Sequence, residues 1–254
     1  MDGHYSMKTM IRSSDQQLLR DFAGNRDESA FTALVERYLP LVHSTARRQL
    51  GDSALADDVS QQVFVLLAHR AGELTAGTIL SGWLYQTTRH VALHTARTEL
   101  RRRTREHTAM AQMTQEAPDC VWRSIENDLD AAMESLGDVD RNAILLRYFE
   151  NRSLREVGQV LGFTDDAAQK RLSRAVEKLR DYFQRRGRAI GAASLVAAIS
   201  GFAVGPVPSA MAAGLSASVL HSSSFLTSTI TTTTMKPFIL TPILKPSWHK
   251  SWWP

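Results

Sequence analysis

Cysteine is almost missing from this 254-residue chain: Cys120 is the only one. No disulfide can form within it, so its fold must rest on packing, and a reducing compartment suits it. Aromatic residues make up 7% of the chain, no glycine-rich loop of the phosphate-cradling kind occurs, and few runs alternate as half-buried strands do. A nucleotide cradle and a sheet are therefore not expected. The opening MDGHYSMKTMIRSSD holds no apolar core of signal-peptide length, so export is not expected either. Acid is lacking at the other end: all 26 acidic residues precede Ala189, and no Asp, Glu, Lys or Arg occurs between Arg188 and Lys236.

The charge that is present is blocked. Arg89 to Arg105 holds six arginines against Glu99, and Lys170 to Arg188 holds eight basic residues against Glu177 and Asp181. Between them, Glu106 to Asp140 carries nine carboxylates against Arg123 alone. Two cationic surfaces joined by an acidic connector point to two nucleic-acid contacts, although the net charge is only +4.

The most legible stretch is Asn151 to Leu179. Ser153 and Glu156 form a capping box, Leu154, Val157, Val160 and Leu161 follow at helical spacing, and Gly162 closes that helix. Thr164 is a good N-cap for a second helix, with Asp165 and Asp166 at the positive end of its dipole. Ala168, Leu172, Ala175, Val176 and Leu179 give this helix an apolar stripe, while Gln169, Lys170, Arg171, Ser173, Arg174 and Lys178 lie off it. That is the layout of a helix-turn-helix, whose second helix enters the major groove. On pattern alone, a solvated helix in a small bundle is an equal reading.

Upstream, the spacing predicts two helices over Asp15 to Leu50, with Pro40 kinking or breaking the second. Leu55, Val59, Val63, Leu66 and Leu67 make the next stripe, with Asp57, Asp58, Gln61 and Gln62 on the polar side. A long helix is predicted from Trp83 to about Glu106, setting Trp83 and Tyr85 near Arg89, His90, Arg97 and Arg101. Aromatics beside cations suit unpaired bases, which gain about 1–3 kcal/mol each by stacking. His90 and His94 stand four apart, but no further ligand is near and the glutamate of a metalloprotease helix is missing, so no metal site is expected. Residues 107–138 read as an acidic linker, part helical and part extended, and a helix carrying Ile144, Leu145, Tyr148 and Phe149 supports the two motif helices.

Three segments in this order resemble the sigma-70 family of bacterial RNA polymerase specificity subunits, in its short extracytoplasmic-function (ECF) branch. Leu55-Ala56-Asp57-Asp58-Val59-Ser60-Gln61-Gln62-Val63-Phe64 is similar to the D-A-E-D-L-x-Q-E-x-F helix that grips the β′ clamp helices. Gly82-Trp83-Leu84-Tyr85-Gln86-Thr87-Thr88-Arg89-His90-Val91-Ala92 is similar to the W-L-x-x-I-A-R-N-x-A segment that melts and reads the minus-ten element. Leu145 to Glu150 with the helix-turn-helix resembles the part that reads the minus-35 element and docks on the β flap. The resemblance implies an all-α fold of two small helical domains. Residues 15–106 would form the region 2-like bundle and 139–187 the region 4-like helix-turn-helix, joined by the acidic linker over 107–138.

Core polymerase contact would fall to Asp57, Asp58, Gln61, Gln62 and Phe64, and the minus-ten contact to Trp83, Tyr85, Arg89, His90, Arg97 and Arg101. The minus-35 contact would fall to Thr164, Gln169, Lys170, Arg171 and Arg174. The implied partners are core RNA polymerase, promoter DNA and a candidate anti-sigma factor; no cofactor and no catalysis are expected, and the cytoplasm is the expected location. The alternative is a stand-alone helix-turn-helix regulator with an N-terminal sensor or dimerisation module.

The remainder, 188–254, reads as an Ala/Ser/Thr-rich low-complexity tail. Its 17-residue uncharged run, Ala189 to Gly205, follows Arg185, Arg186 and Arg188 and is a candidate membrane segment, with docking on the body or disorder as the competing readings. Trp248, Trp252 and Trp253 could sit at a membrane interface or be exposed. If it is functional, a tail of this kind is expected to regulate, by anchoring the protein or by masking a cationic surface in place of a separate anti-sigma protein.

Overall fold

The computed structural model describes residues 14–74, 77–106 and 120–225, and these contain helices and no strand. The N-terminal half is built on α2 (Glu28–Leu50), against which α1 (Asp15–Asn25), α3 (Ser53–Arg70) and α4 (Leu80–Glu106) pack. The breaks between them are set by local chemistry. Asp27 caps α2 by accepting from the amides of Ser29 and Ala30, Gly51 ends it at φ 66°, and Asp52 caps α3 through Ala54 and Leu55. The core runs from the Phe22 and Phe31 rings, 4.7 Å apart, through Leu34, Val35, Val42, Val63 and Leu84.

Of the two outcomes expected at Pro40, the break does not occur: α2 runs through it from Glu28 to Leu50. Its neighbours Tyr38, Leu39, Leu41 and Val42 are all buried, and their packing outweighs the roughly 3 kcal/mol that an interior proline costs.

The C-terminal half comprises α5 (Cys120–Glu134), α6 (Asp138–Ile144) continuing as a π-helical turn (Leu145–Phe149), α7 (Leu154–Leu161) and α8 (Asp165–Gln184). The acidic connector was expected to be part helical, and α5 is such a helix; what departs from a solvated linker is that this helix belongs to the core. Ile125, Leu129, Ala132 and Met133 of α5 are fully buried, and its carboxylates flank that stripe. The buried Arg141 guanidinium donates to the carbonyls of Met133, Glu134 and Leu136 at 2.9, 3.2 and 2.7 Å. One side chain thus satisfies the orphan carbonyls at the end of α5 and fixes α6 to it. Residues 107–119 lie outside the described residues.

Of the tail, α9 (Ala192–Phe202) packs on α5, α8 and the π-helical turn, and α10 (Ser209–Phe225) on α2 and α3. Of the competing readings for 189–205, this arrangement bears out docking on the body and corrects the candidate membrane segment. Eleven residues of helix span about 16 Å, half of a bilayer core. Leu195, Ala198 and Ile199 are also spent on the protein interior, and no helix among the described residues is long and apolar enough to cross a membrane. The three terminal tryptophans lie outside the described residues.

Candidate nucleic-acid interface

The helix-turn-helix forms through the local bonds its sequence encodes. Ser153 Oγ accepts from the Glu156 amide while the Glu156 carboxylate accepts from the Ser153 amide at 2.7 Å, closing the capping box. Gly162 takes φ 73°, and Gly158 lets the turn fold back so closely that a Cβ there would sit 2.7 Å from the Phe163 carbonyl oxygen. Thr164 is exposed and its hydroxyl accepts from the Ala167 amide, so it serves α8 as N-cap. Ala168, Leu172, Ala175, Val176 and Leu179 face the core. Gln169, Lys170 and Arg174 stand exposed on the opposite face, beside a shallow open depression floored by Phe163 and Ala167.

Arg171 differs from its neighbours. Its Nη1 donates to Asp140 Oδ1 at 2.8 Å, and its guanidinium lies 4.9 Å from the Phe163 ring centroid. Lys178 Nζ donates to the other Asp140 oxygen at 2.7 Å. Burial alone would push the Asp140 carboxyl up; the hydrogen bonds and charges of Lys178 and Arg171 outweigh it and hold the carboxyl below its ordinary value. Arg171 therefore anchors α8 to α6 as well as bordering the exposed face.

On α4 the predicted minus-ten residues divide. His90 and Arg97 are exposed, and Trp83 is partly buried against the core. Arg89 forms an ion pair with Glu134 of α5, its side chain 12% exposed. Tyr85 requires a correction: it is fully buried and its hydroxyl donates to Asp130 at 2.7 Å, so its ring is enclosed and offers no face to a base. The side chain of Arg101 lies outside the described residues.

On α3, Asp57, Asp58 and Gln62 are exposed, Gln61 is half-buried, and His43 Nε2 lies 3.1 Å from Asp57 Oδ1. Phe64 requires the second correction. It is fully buried beneath the helix, where it supports the polar row without belonging to the surface.

Sequence reasoning missed the group that holds the halves together. Asp130 accepts a forked pair of bonds from Arg48, at 3.1 and 3.2 Å, a third from Tyr85 and a fourth from Gln49 at 3.1 Å. Arg48 also donates to the Ala203 carbonyl at 2.6 Å and to Thr45. Burial pushes the Asp130 carboxyl up, but the Arg48 charge and the four donors hold it below the usual carboxylate range. The available signal was a carboxylate between Leu129 and Met133, inside an apolar stripe.

The family model described as Sigma-70 region 2 matches residues 34–106, and Sigma-70 region 4 matches residues 126–179. The second match begins within α5, the helix that packs with the C-terminal half. RNA polymerase sigma factor CarQ of Myxococcus xanthus is 31% identical over 161 residues, covering 61% of this chain and 89% of that protein. ECF RNA polymerase sigma factor SigW of Bacillus subtilis is 24% identical over 190 residues, covering 68% and 97%. A solved structure of CnrH in complex with the cytosolic domain of CnrY is similar at 22% identity and a TM-score of 0.34, over 68% of this chain and 99% of that one.

Proposed function

This chain belongs to the sigma-70 family of RNA polymerase sigma factors, and on that footing we propose how its surfaces divide the work. As a sigma factor it binds core RNA polymerase and directs promoter recognition and DNA melting in transcription initiation. The exposed row of α3, with Asp57, Asp58, Gln61 and Gln62, takes the β′ clamp helices. Trp83, His90, Arg97 and Arg101 of α4, with Arg89 once it leaves Glu134, receive the unpaired minus-ten strand. Thr164, Gln169, Lys170 and Arg174 of α8, bordered by Arg171, read the minus-35 duplex, and the C-terminal half docks on the β flap.

The chain acts by binding and not by catalysis, in the cytoplasm where the polymerase works, and a separate anti-sigma protein is a candidate partner. A membrane contact through the tail is not part of this reading, because Leu195, Ala198 and Ile199 of α9 are buried in the protein and no helix among the described residues is long and apolar enough to cross a membrane. A stand-alone regulator is not favoured either, since the N-terminal half matches Sigma-70 region 2 and not a sensor module.

The observation that carries the reading is the α8 face. A capped helix-turn-helix within the region 4 match leaves Gln169, Lys170 and Arg174 exposed, the donors suited to phosphates and purine edges. Run-off transcription with bacterial core polymerase and the full chain, on fragments of the source genome, tests it. Discrete starts that require the protein are expected; duplex binding without any transcript would favour the stand-alone regulator.

A further inference from the structure

Helix α10 reaches the edge of the α3 row assigned above to polymerase: it packs on α2 and α3 and half-buries Gln61, while Asp57, Asp58 and Gln62 stay exposed beside it. Ala212, Leu215, Ser216 and Val219 of α10 recur at helical spacing, and all four are buried where α10 packs on α2 and α3. Gln61 of that row donates from Nε2 to Ser218 Oγ at 2.7 Å. The placement is directed by the chain just before α10. Arg48 holds the Ala203 carbonyl and Ser44 Oγ accepts from the Gly205 amide at 2.9 Å, which sets Gly205, Pro206, Val207 and Pro208 as a short strap from α9 to α10.

We propose that α10 is a built-in competitor of core polymerase: it docks on the α2–α3 face, and polymerase reaches that face only after α10 has lifted away. The proposal rests on the assignment of the α3 row to polymerase.

The composition of α10 suits a reversible occupant. Its fully buried stripe contains one leucine, one valine, an alanine and a serine, flanked by the partly buried Met211 and Leu220, a smaller apolar face than the ten buried residues of α2 provide. Ser209 to Phe225 contains no Asp, Glu, Lys or Arg, and Nδ1 of its one histidine, His221, bonds the Ala217 carbonyl of the same helix. A docked helix of modest affinity lowers apparent polymerase affinity by the fraction of time the face is open, and a ligand that binds only the open form shifts the population toward it. The strap and α9 can stay in place during this exchange, because their bonds run to Arg48 and Ser44 and not to α3.

Two measurements on the full chain test this. In a Cys120→Ala background, Ser216→Cys sets a thiol on the buried side of α10, where the native hydroxyl bonds only to the Ala212 carbonyl of its own helix. Maleimide labelling of that thiol is expected to be slow in the free protein and at least about tenfold faster with saturating core polymerase. The second measurement is polymerase affinity of Leu215→Asp with Val219→Asp, which should lift α10 and lower the apparent Kd by about tenfold or more. Polymerase binding with the Ser216→Cys thiol still protected would overturn the competitor and leave the sigma assignment standing. Absence of polymerase binding by the full chain and by the released variant alike would overturn the sigma assignment and the competitor with it.

Discussion

Arg48 of α2 and Asp130 of α5 meet in a forked ion pair with side chains 3% and 1% exposed, across 82 positions of sequence. With Tyr85, Gln49 and the Ala203 carbonyl around them, they bind both halves and the tail into one polar cluster inside an apolar core. Removing one partner strands the other's charge. Asp130→Ala should destabilise the chain by about 3–5 kcal/mol, whereas replacing both charges, as in Arg48→Met with Asp130→Leu, should cost much less. Urea unfolding of the three proteins checks this; a double variant no better than the single one would mean that shape, and not charge, is what the cluster supplies.

The same carboxylate ties stability to pH. Its folded value is depressed below the unfolded one, near 3.9. Its contribution is therefore fully present above the unfolded value and is lost as pH falls through the folded one. Stability should fall below about pH 4, and Asp130→Asn should flatten that limb by up to one proton, about 1.4 kcal/mol per pH unit. Parallel limbs in the two proteins would assign the acid sensitivity elsewhere, with Asp140 the next group to test.

Which features could be read in advance follows from the range of the forces involved. The capping box at Ser153 and Glu156, the left-handed Gly162 and the Thr164 cap are settled within four residues, so the helix-turn-helix was legible. Phe64 was placed by the family motif and Tyr85 by the mixing of aromatics with cations, and neither shows the depth to which a neighbouring helix covers a residue. Tyr85 is enclosed because Asp130, 45 residues away, accepts its hydroxyl bond. At Pro40 the break does not occur for the same reason: the local penalty is visible in the sequence and the packing that outweighs it is not. The acidity of 107–138 masked α5, whose buried stripe is narrow enough for carboxylates to surround it. The tail's uncharged run fits a marginal membrane segment or a docked helix equally well, and only the available groove on the body decides between them.

Two arginines one turn apart on α8 should separate DNA contact from stability. Arg174 is exposed and its Nε donates only to the Lys170 carbonyl of its own helix, at 3.3 Å, whereas Arg171 is paired with Asp140. Arg174→Ala should weaken minus-35 binding by the polymerase complex and reduce the slope of log K against log salt by about 0.9, with thermal stability unchanged. Arg171→Ala should lower both affinity and melting temperature, because it also leaves Asp140 with Lys178 alone. Equal melting temperatures would place Arg171 with Arg174, as a surface cation only.

Arg89 offers the sharpest test of the minus-ten surface, because the fold has already given it a partner. Its guanidinium is paired with Glu134, which sits at the end of α5 with its side chain 52% exposed. An arginine held this way meets DNA only by exchanging one anion for another, so the intramolecular pair subtracts from the affinity that the phosphate supplies. Glu134→Gln removes the competing charge and keeps the shape. Because Glu134 is half exposed, the change should alter stability by no more than about 1 kcal/mol. It should nevertheless raise affinity of the polymerase complex for a fork-junction DNA several-fold at low salt, with a slope steeper by up to about 0.7 for the additional single-strand phosphate contact. Arg89→Ala should abolish that gain, and a double-mutant cycle over the two positions should return a coupling of opposite sign for stability and for DNA affinity. Fork affinity that is indifferent to Glu134 while Arg89→Ala still weakens binding would mean that the pair opens before DNA arrives. Indifference to both substitutions would remove Arg89 from the minus-ten surface and leave His90 and Arg97 as the exposed residues among its predicted polar contacts.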